Sequence, residues 1–351
     1  MTQPPNDIGT HATLAWLARR DGSIVVGHGP FTPSATPPDR SVAFYVQDFA
    51  LHDRRPWKIP ASFENMDRFA LAELLPMPPS APDWSWQPPD AAPFSAVFQE
   101  IMTTIQAGGF EKTVPVVAEC GVSDTPPGPY IAASMARQQP PLQSYGWISQ
   151  DEGFAGATPE LLFSLAGTTL ETMALAGTAR SDDRDVFAVD EKEVREHEYV
   201  AQTLVSKLLD LGHLERQPRR ILDLGSIVHF LSQIRVSLNQ PTEPEALLRK
   251  LHPTPALGPL PRTHETMKLL LDWRTRLGCP DGFGAPFGLW DHGRFEAVVA
   301  IRGVWWQGRQ TTIPAGCGLI EASRLVNEWR ELRLKREAVK RFLGAAETYH
   351  T

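Results

Sequence analysis

Short β-prone runs in this chain follow one another with only a tight turn between them, a pattern that excludes regular alternation of strand and helix. Residues 23–26, 42–46, 113–119, 145–149, 161–165 and 169–176 read as strands bounded by glycine or proline. Residues 295–306 and 311–314 read as a hairpin about Gln307, Gly308 and Arg309. Helical periodicity is confined to residues 94–106, 190–211, 244–251, 263–277 and 325–343. Parallel strands need long crossover connections, whereas strands joined by tight turns pair antiparallel. The expected class is therefore α+β, with large antiparallel sheets flanked by helices.

Proline is dense between Pro76 and Pro93, so this stretch is neither regular helix nor central strand. It reads as a surface linker. Residues 1–90 form a variable N-terminal part of the fold ending in that linker, and residues 91–351 form the functional region. A chain of 351 residues with 42% hydrophobic residues is long enough for a sizeable core. Its formal net charge of -7 argues against general nucleic-acid binding, which wants a basic surface. The cysteines, Cys120, Cys279 and Cys317, have no CxxC spacing and read as isolated reduced thiols. The start, MTQPPNDIGTHATLAW, lacks a basic segment followed by an apolar run, and no apolar stretch approaches the ~20 residues of a membrane helix. A cytoplasmic protein without membrane association is expected.

The most informative residues are glutamates. At about 100° per residue, Val194, Val200, Ala201, Leu204 and Leu208 define one apolar arc. Glu193 falls inside that arc and Glu196 at its edge, while Glu191 and Glu198 project away. An unpaired carboxylate facing a core costs several kcal/mol, so it calls for a cation or a raised pKa. The C-terminal helix repeats the pattern: Leu325, Trp329, Leu332, Val339 and Leu343 form its apolar stripe, with Glu328, Glu331 and Lys335 along one flank. Two such helices facing each other would suit a hard divalent ion such as magnesium, which prefers oxygen ligands. Either helix taken singly reads better as a solvated charged face with i,i+4 pairs such as Glu331 to Lys335.

Several segments suit close approach of a small anion. Gly177 and Thr178 follow a strand and precede the acidic helix, where backbone N–H groups and a hydroxyl can meet a carboxylate. Gly316 and Gly318 stand similarly before the C-terminal helix. Arg302, among Val, Ala and Ile, calls for a fork-shaped bond to a carboxylate, unless it faces outward from a half-exposed strand. Lys112 and Glu160 would make a proton-transfer pair if they faced each other across a ligand; otherwise they are solvated strand ends.

In this order, the segments GFEKTVPVV, GFAGATPELLF, ALAGT, EVREHEYV, LHPTPALG, VVAIRG, AGCGLI and EWRELRLK resemble the catalytic half of chorismate-utilising enzymes, from about Phe94 to Leu343. That family includes isochorismate, salicylate, aminodeoxychorismate and anthranilate synthases. The resemblance implies a Mg²⁺ site held by Glu196 and Glu331, with Glu193 and Glu328 alongside in the outer shell or acting through water. It implies Glu160 as general acid and Lys112 as the base that activates water. It further implies that Arg302, Gly177, Thr178, Gly316, Gly318 and Lys335 hold the carboxylates of chorismate. His252 would lie near the ring, with Ala256, Leu257 and Phe283 completing the substrate site.

Within the family, Lys112 and HPTPAL (residues 252–257) resemble the isochorismate synthases, which add water at C2 while hydroxide leaves C4. Ala176 stands where aminodeoxychorismate synthases have lysine, and no glutaminase domain is fused, so no glutaminase subunit is expected, and a monomer is. The product would feed menaquinone or siderophore synthesis. Three positions depart from the family: Glu119 and Cys120 follow the lysine strand where an arginine is usual, Pro259 replaces a glycine, and Phe283 replaces a tyrosine. Salicylate synthesis, with pyruvate elimination added, and a non-catalytic chorismate-binding paralogue are the competing readings.

Overall fold

Alternating side chains give a strand two faces, and the central strands of this chain bury both. The computed structural model describes residues 13–344; residues 1–12, on which the leaderless reading rests, and 345–351 lie outside that range. One antiparallel sheet runs, edge to edge, through Ser62–Met66, Ile24–His28, Leu14–Ala18, Gln143–Ser149, Glu152–Thr158, Gly303–Gln307, Gln310–Gly316, Val116–Ser123 and Trp84–Gln87. The other runs through Gly212–Arg216, Ile227–Leu238, Thr169–Arg180, Leu161–Ala166, Arg294–Val299, Pro286–Asp291, Val42–Val46, Trp57–Ile59 and Thr32–Ser34, with Arg220–Asp223 also paired to Ile227–Leu238. The α+β class with large antiparallel sheets is thus what the chain adopts.

The sheets pack face to face. Ala15, Leu17, Val25 and Tyr145 of the first meet Phe44, Phe287, Leu289 and Val298 of the second. The alternate residues Leu14, Trp16 and Val26 point the other way, onto Ile131, Ala132 and Met135 of the helix Gly128–Ala136. The acidic helix, Glu191–Leu208, lays Val200, Ala201, Leu204 and Leu208 on the second sheet. The C-terminal helix, Leu325–Phe342, packs Leu332 with the helices Ala91–Gln106 and His264–Arg276 around Val117 and Ala315.

Three sequence expectations change in ways that matter to the site. The expected 295–306 strand is two strands in different sheets, Arg294–Val299 and Gly303–Gln307. The crossing falls at Ala300, Ile301 and Arg302, and Arg302 takes φ +54, a left-handed conformation costing a non-glycine residue roughly 1–2 kcal/mol. The expected strand ending at Ala176 continues to Arg180 through a bulge at Gly177, φ +77. Lys112 does not head a long strand: it pairs with Leu260 in an isolated bridge, and the regular strand begins at Val116. In the proline-rich stretch, Trp84–Gln87 forms a strand at a sheet edge, where neighbouring prolines are tolerated. Described residues before position 90 supply strands to both sheets.

Glu119, one of the departures, anchors the C-terminal helix. Its carboxylate accepts from Arg336 Nε at 3.2 Å and from Lys340 Nζ, while Arg336 is 3% exposed and its Nη1 has no partner. Removing one member of a buried pair leaves the other charge uncompensated, at about 3–5 kcal/mol. Glu119→Ala is therefore expected to lower the unfolding free energy by about that amount, measured by urea denaturation, with Arg336→Met in the same background recovering much of it.

Candidate active site

Where the chain crosses between sheets, it leaves a cavity that is partly open to solvent. Of the residues singled out in the sequence, Glu160, Gly177, Thr178, Glu196, Ala256, Leu257, Phe283, Arg302, Gly316, Gly318 and Lys335 line it. Lys112, His252, Glu193, Glu328 and Glu331 do not.

Lys112 lies directly behind the wall. It is fully buried, and its Nζ donates to the Pro255 carbonyl at 2.7 Å and stands 3.5 Å from Glu196 Oε1. Burial pushes its pKa down, as do the positive charges of Lys335 and Lys192, against the attraction of Glu196. The barrier between Nζ and the cavity is Gly318, where an added Cβ would stand 3.0 Å from Nζ and 2.0 Å from Glu196 Oε1. Glu160, 3% exposed, accepts from Thr254 Oγ1 at 3.2 Å. Burial raises its pKa to about 7, though Thr254, Lys112, Lys335 and Arg302 all pull the other way.

The strained Arg302 is held by a residue the sequence reading missed. His229, 5% exposed, shares its Nδ1 with the Gly177 carbonyl at 2.7 Å, and its Nε2 faces Arg302 Nη2 at 2.8 Å. Burial, Arg302 and Lys335 keep this imidazole neutral, its pKa well below the usual value. The network then assigns the proton to Nδ1, which donates to Gly177, and leaves Nε2 to accept from Arg302. Arg302, its pKa lowered by burial to about 10, keeps its charge at neutral pH. A histidine inside the otherwise apolar run IVHFL was the available signal.

Two anion-binding expectations need correction. The Thr178 N–H is already engaged, donating to Glu193 Oε2 at 2.8 Å, because the bulge turns it toward the acidic helix; only the hydroxyl, 3.2 Å from His229 Nδ1, remains near the cavity. His252 does not face the cavity. Its Nε2 donates to the Phe49 carbonyl at 2.8 Å, its ring packs edge-on to Phe49, and burial lowers its pKa to about 3.

Three of the four carboxylates, Glu193, Glu196 and Glu328, stand around a lysine. Glu196 and Glu328 are 6% and 1% exposed, and the outward Glu198 pairs with Arg216 instead. At their centre is Lys192, whose Nζ lies 2.9 Å from Glu193 Oε1, 3.4 Å from Glu196 Oε2 and 3.4 Å from Glu328 Oε1. Glu331 pairs with Lys335 at 2.6 Å, and Lys335 Nζ also donates to the Gly316 carbonyl at 2.8 Å. Among the described residues no three acidic, histidine or cysteine side chains form a ready coordination set, so the expected four-glutamate arrangement is spread apart, its members held by two lysines. Burial raises Glu193 to about 7 and Glu328 to about 8. Burial opposes ionisation of Glu331 too, but Lys335 and Lys192 hold it below the usual range. Glu328 Oε2 is buried with no partner. An oxygen-only donor set with an unsatisfied buried oxygen fits a hard divalent cation.

A family model described as "Chorismate binding enzyme" matches residues 65–344. The isochorismate synthase MenF of Bacillus subtilis (strain 168) is 30% identical over 57% of this chain and 45% of its own length. The salicylate biosynthesis isochorismate synthase of Pseudomonas aeruginosa is 31% identical over 55% of the chain and 42% of its length. The matched part is thus about half or less of these curated relatives. The solved isochorismate synthase MenF of Escherichia coli superposes with a TM-score of 0.78 at 20% identity, over 95% of this chain and 89% of that one. Anthranilate synthase component I from Streptococcus pneumoniae superposes at 0.65 and 12% identity, over 96% and 94%. At these identities the superpositions speak to the fold.

Proposed function

The chain belongs to the chorismate binding enzyme family, and from that membership we propose that it isomerises chorismate to isochorismate, adding water at C2 and releasing hydroxide from C4. The observation that carries this reading is a buried lysine with a lowered pKa and a buried glutamic acid titrating near 7 around one cavity. The lowered pKa of Lys112 favours the neutral amine, the form able to take a proton from water. Glu160 is a protonated acid able to give one to the departing oxygen. Burial shifts each group toward its neutral form, the state a lysine needs to act as base and a carboxyl to act as acid. The water's proton ends on Lys112 Nζ, and the Glu160 proton leaves with the C4 hydroxyl as water.

Chorismate carries two carboxylates. Arg302, fixed by His229, and Lys335 present the cationic groups that bind them, while Leu257 and Phe283 cover the apolar ring. The fitting cofactor is Mg²⁺, which Glu196 and Glu331 would hold with Glu193 and Glu328 beside them; when bound it would supply positive charge to a substrate carboxylate. We read the protein as a cytoplasmic monomer working without a glutaminase, its product serving menaquinone or siderophore synthesis.

Incubation with Mg²⁺ and chorismate tests the reading: isochorismate accumulates, identified by chromatography. Salicylate with pyruvate would instead mean a salicylate synthase, and unchanged chorismate bound to the protein a non-catalytic paralogue. The pH dependence follows from signs already given. Only protonated Glu160 works, so kcat is expected to fall tenfold per pH unit above about 7. Only neutral Lys112 works, so kcat also falls on the acid side of its lowered pKa. Glu160→Gln should remove the alkaline limb from the pH–rate profile.

A further inference from the structure

Lys192 stands where a cation serving both helices has to stand. One ammonium bridges Glu193 and Glu196 of the acidic helix to Glu328 of the C-terminal helix, at 2.9–3.4 Å. It satisfies them only in part, since Glu328 Oε2 stays buried without a partner. The lysine side chain is 20% exposed, against 12%, 8% and 2% for those three carboxylates. The lysine is therefore the most exposed member of the cluster, carried on a flexible stem. The same oxygens cannot serve the ammonium and a second cation at once, because the two positive charges would repel at that spacing.

We propose that Lys192 is the resident counter-ion of this carboxylate nest, and that a divalent cation binds only by displacing it, so that Lys192 sets the cation affinity of the protein. This rests on the metal reading given above. Displacement costs the lysine its ion pairs, which lowers the apparent affinity of the nest for any incoming ion by that same preference. The swap also keeps the acidic residues paired when no metal is present, holding the two helices together.

Mg²⁺ binding to the full-length protein, measured by calorimetry without substrate, tests this. Lys192→Met is expected to bind Mg²⁺ at least tenfold more tightly than wild type, and Lys192→Arg to stay within a few-fold of wild type because it keeps the charge. Equal or weaker Mg²⁺ binding by Lys192→Met overturns the displacement idea and leaves the metal reading standing. Absence of binding in wild type and Lys192→Met alike overturns both. Should Lys192→Met not fold, wild type suffices: acetylation of Lys192 by acetic anhydride, read by mass spectrometry, is expected to rise at least threefold when Mg²⁺ is added. Unchanged labelling in protein shown by calorimetry to bind Mg²⁺ overturns the proposal.

Discussion

Lys112→Met is expected to lower turnover of chorismate by about 10²–10⁴-fold, the range a single general base contributes, with the fold intact. Methionine fills nearly the same space, and the substitution removes a fully buried amine whose ionised form is disfavoured there. What is lost locally is the hydrogen bond to the Pro255 carbonyl and the contact with Glu196 Oε1 at 3.5 Å, each worth about 1 kcal/mol. Thermal unfolding should therefore change little while kcat collapses, and KM should stay near its wild-type value because the amine lies behind the cavity wall. The decisive measurement is kcat for isochorismate formation with a parallel melting curve. Turnover within tenfold of wild type would remove Lys112 from the mechanism, and a parallel loss of stability would make its role structural.

The second large effect is expected from one methyl group. Gly318→Ala places a Cβ 2.0 Å from Glu196 Oε1, 2.7 Å from Glu196 Cδ and 3.0 Å from Lys112 Nζ. The two contacts with Glu196 are shorter than real Cβ atoms show, so the glutamate or the loop must move, and Lys112 Nζ must yield by a few tenths of an ångström. Displacements near 1 Å at a reacting centre can cost on the order of 10²-fold in rate, and overpacking costs about 1–3 kcal/mol of stability. Gly318→Ala is expected to lose about 10²-fold in kcat/KM and to bind Mg²⁺ more weakly, because the group it strikes is the carboxylate that faces both cavity and nest. Gly316→Ala is the control: its nearest contacts are Val114 Cγ1 at 3.1 Å and Val116 Cγ2 at 3.3 Å, apolar atoms that can yield by tenths of an ångström. Similar losses in the two variants, in steady-state kinetics and calorimetry, would show that the loop rather than the Glu196 contact is what matters.

Both predictions depend on residues that differ in how they could be found. The burial of Glu196 and Glu328 was legible in part because helical periodicity is local: Glu196 at the edge of one apolar arc and Glu328 on the flank of another lie beside the face that docks on the core. The antiparallel class was legible for a similar reason, since strands separated by tight turns leave no room for crossover helices. Glu119 was visible only as a departure, because its partners Arg336 and Lys340 lie far along the chain. His229 was passed over for the same reason, its contacts with Gly177 and Arg302 being made between strands that the sequence separates.

By itself, then, the sequence determined what short-range geometry controls: which helix faces are buried, where the chain must turn, and which residue types carry protons or charge. Only the tertiary structure decided how those groups are shared. It turned the Thr178 amide toward Glu193 and His252 toward Phe49, and it split an expected strand between two sheets so that Arg302 stands at the crossing. It also put Lys192, one position before Glu193 in the chain, at the centre of carboxylates from two helices. Hydrogen-bond and ion-pair partners are chosen by distance in space, and a side chain reaches its partner only after elements remote in sequence have packed.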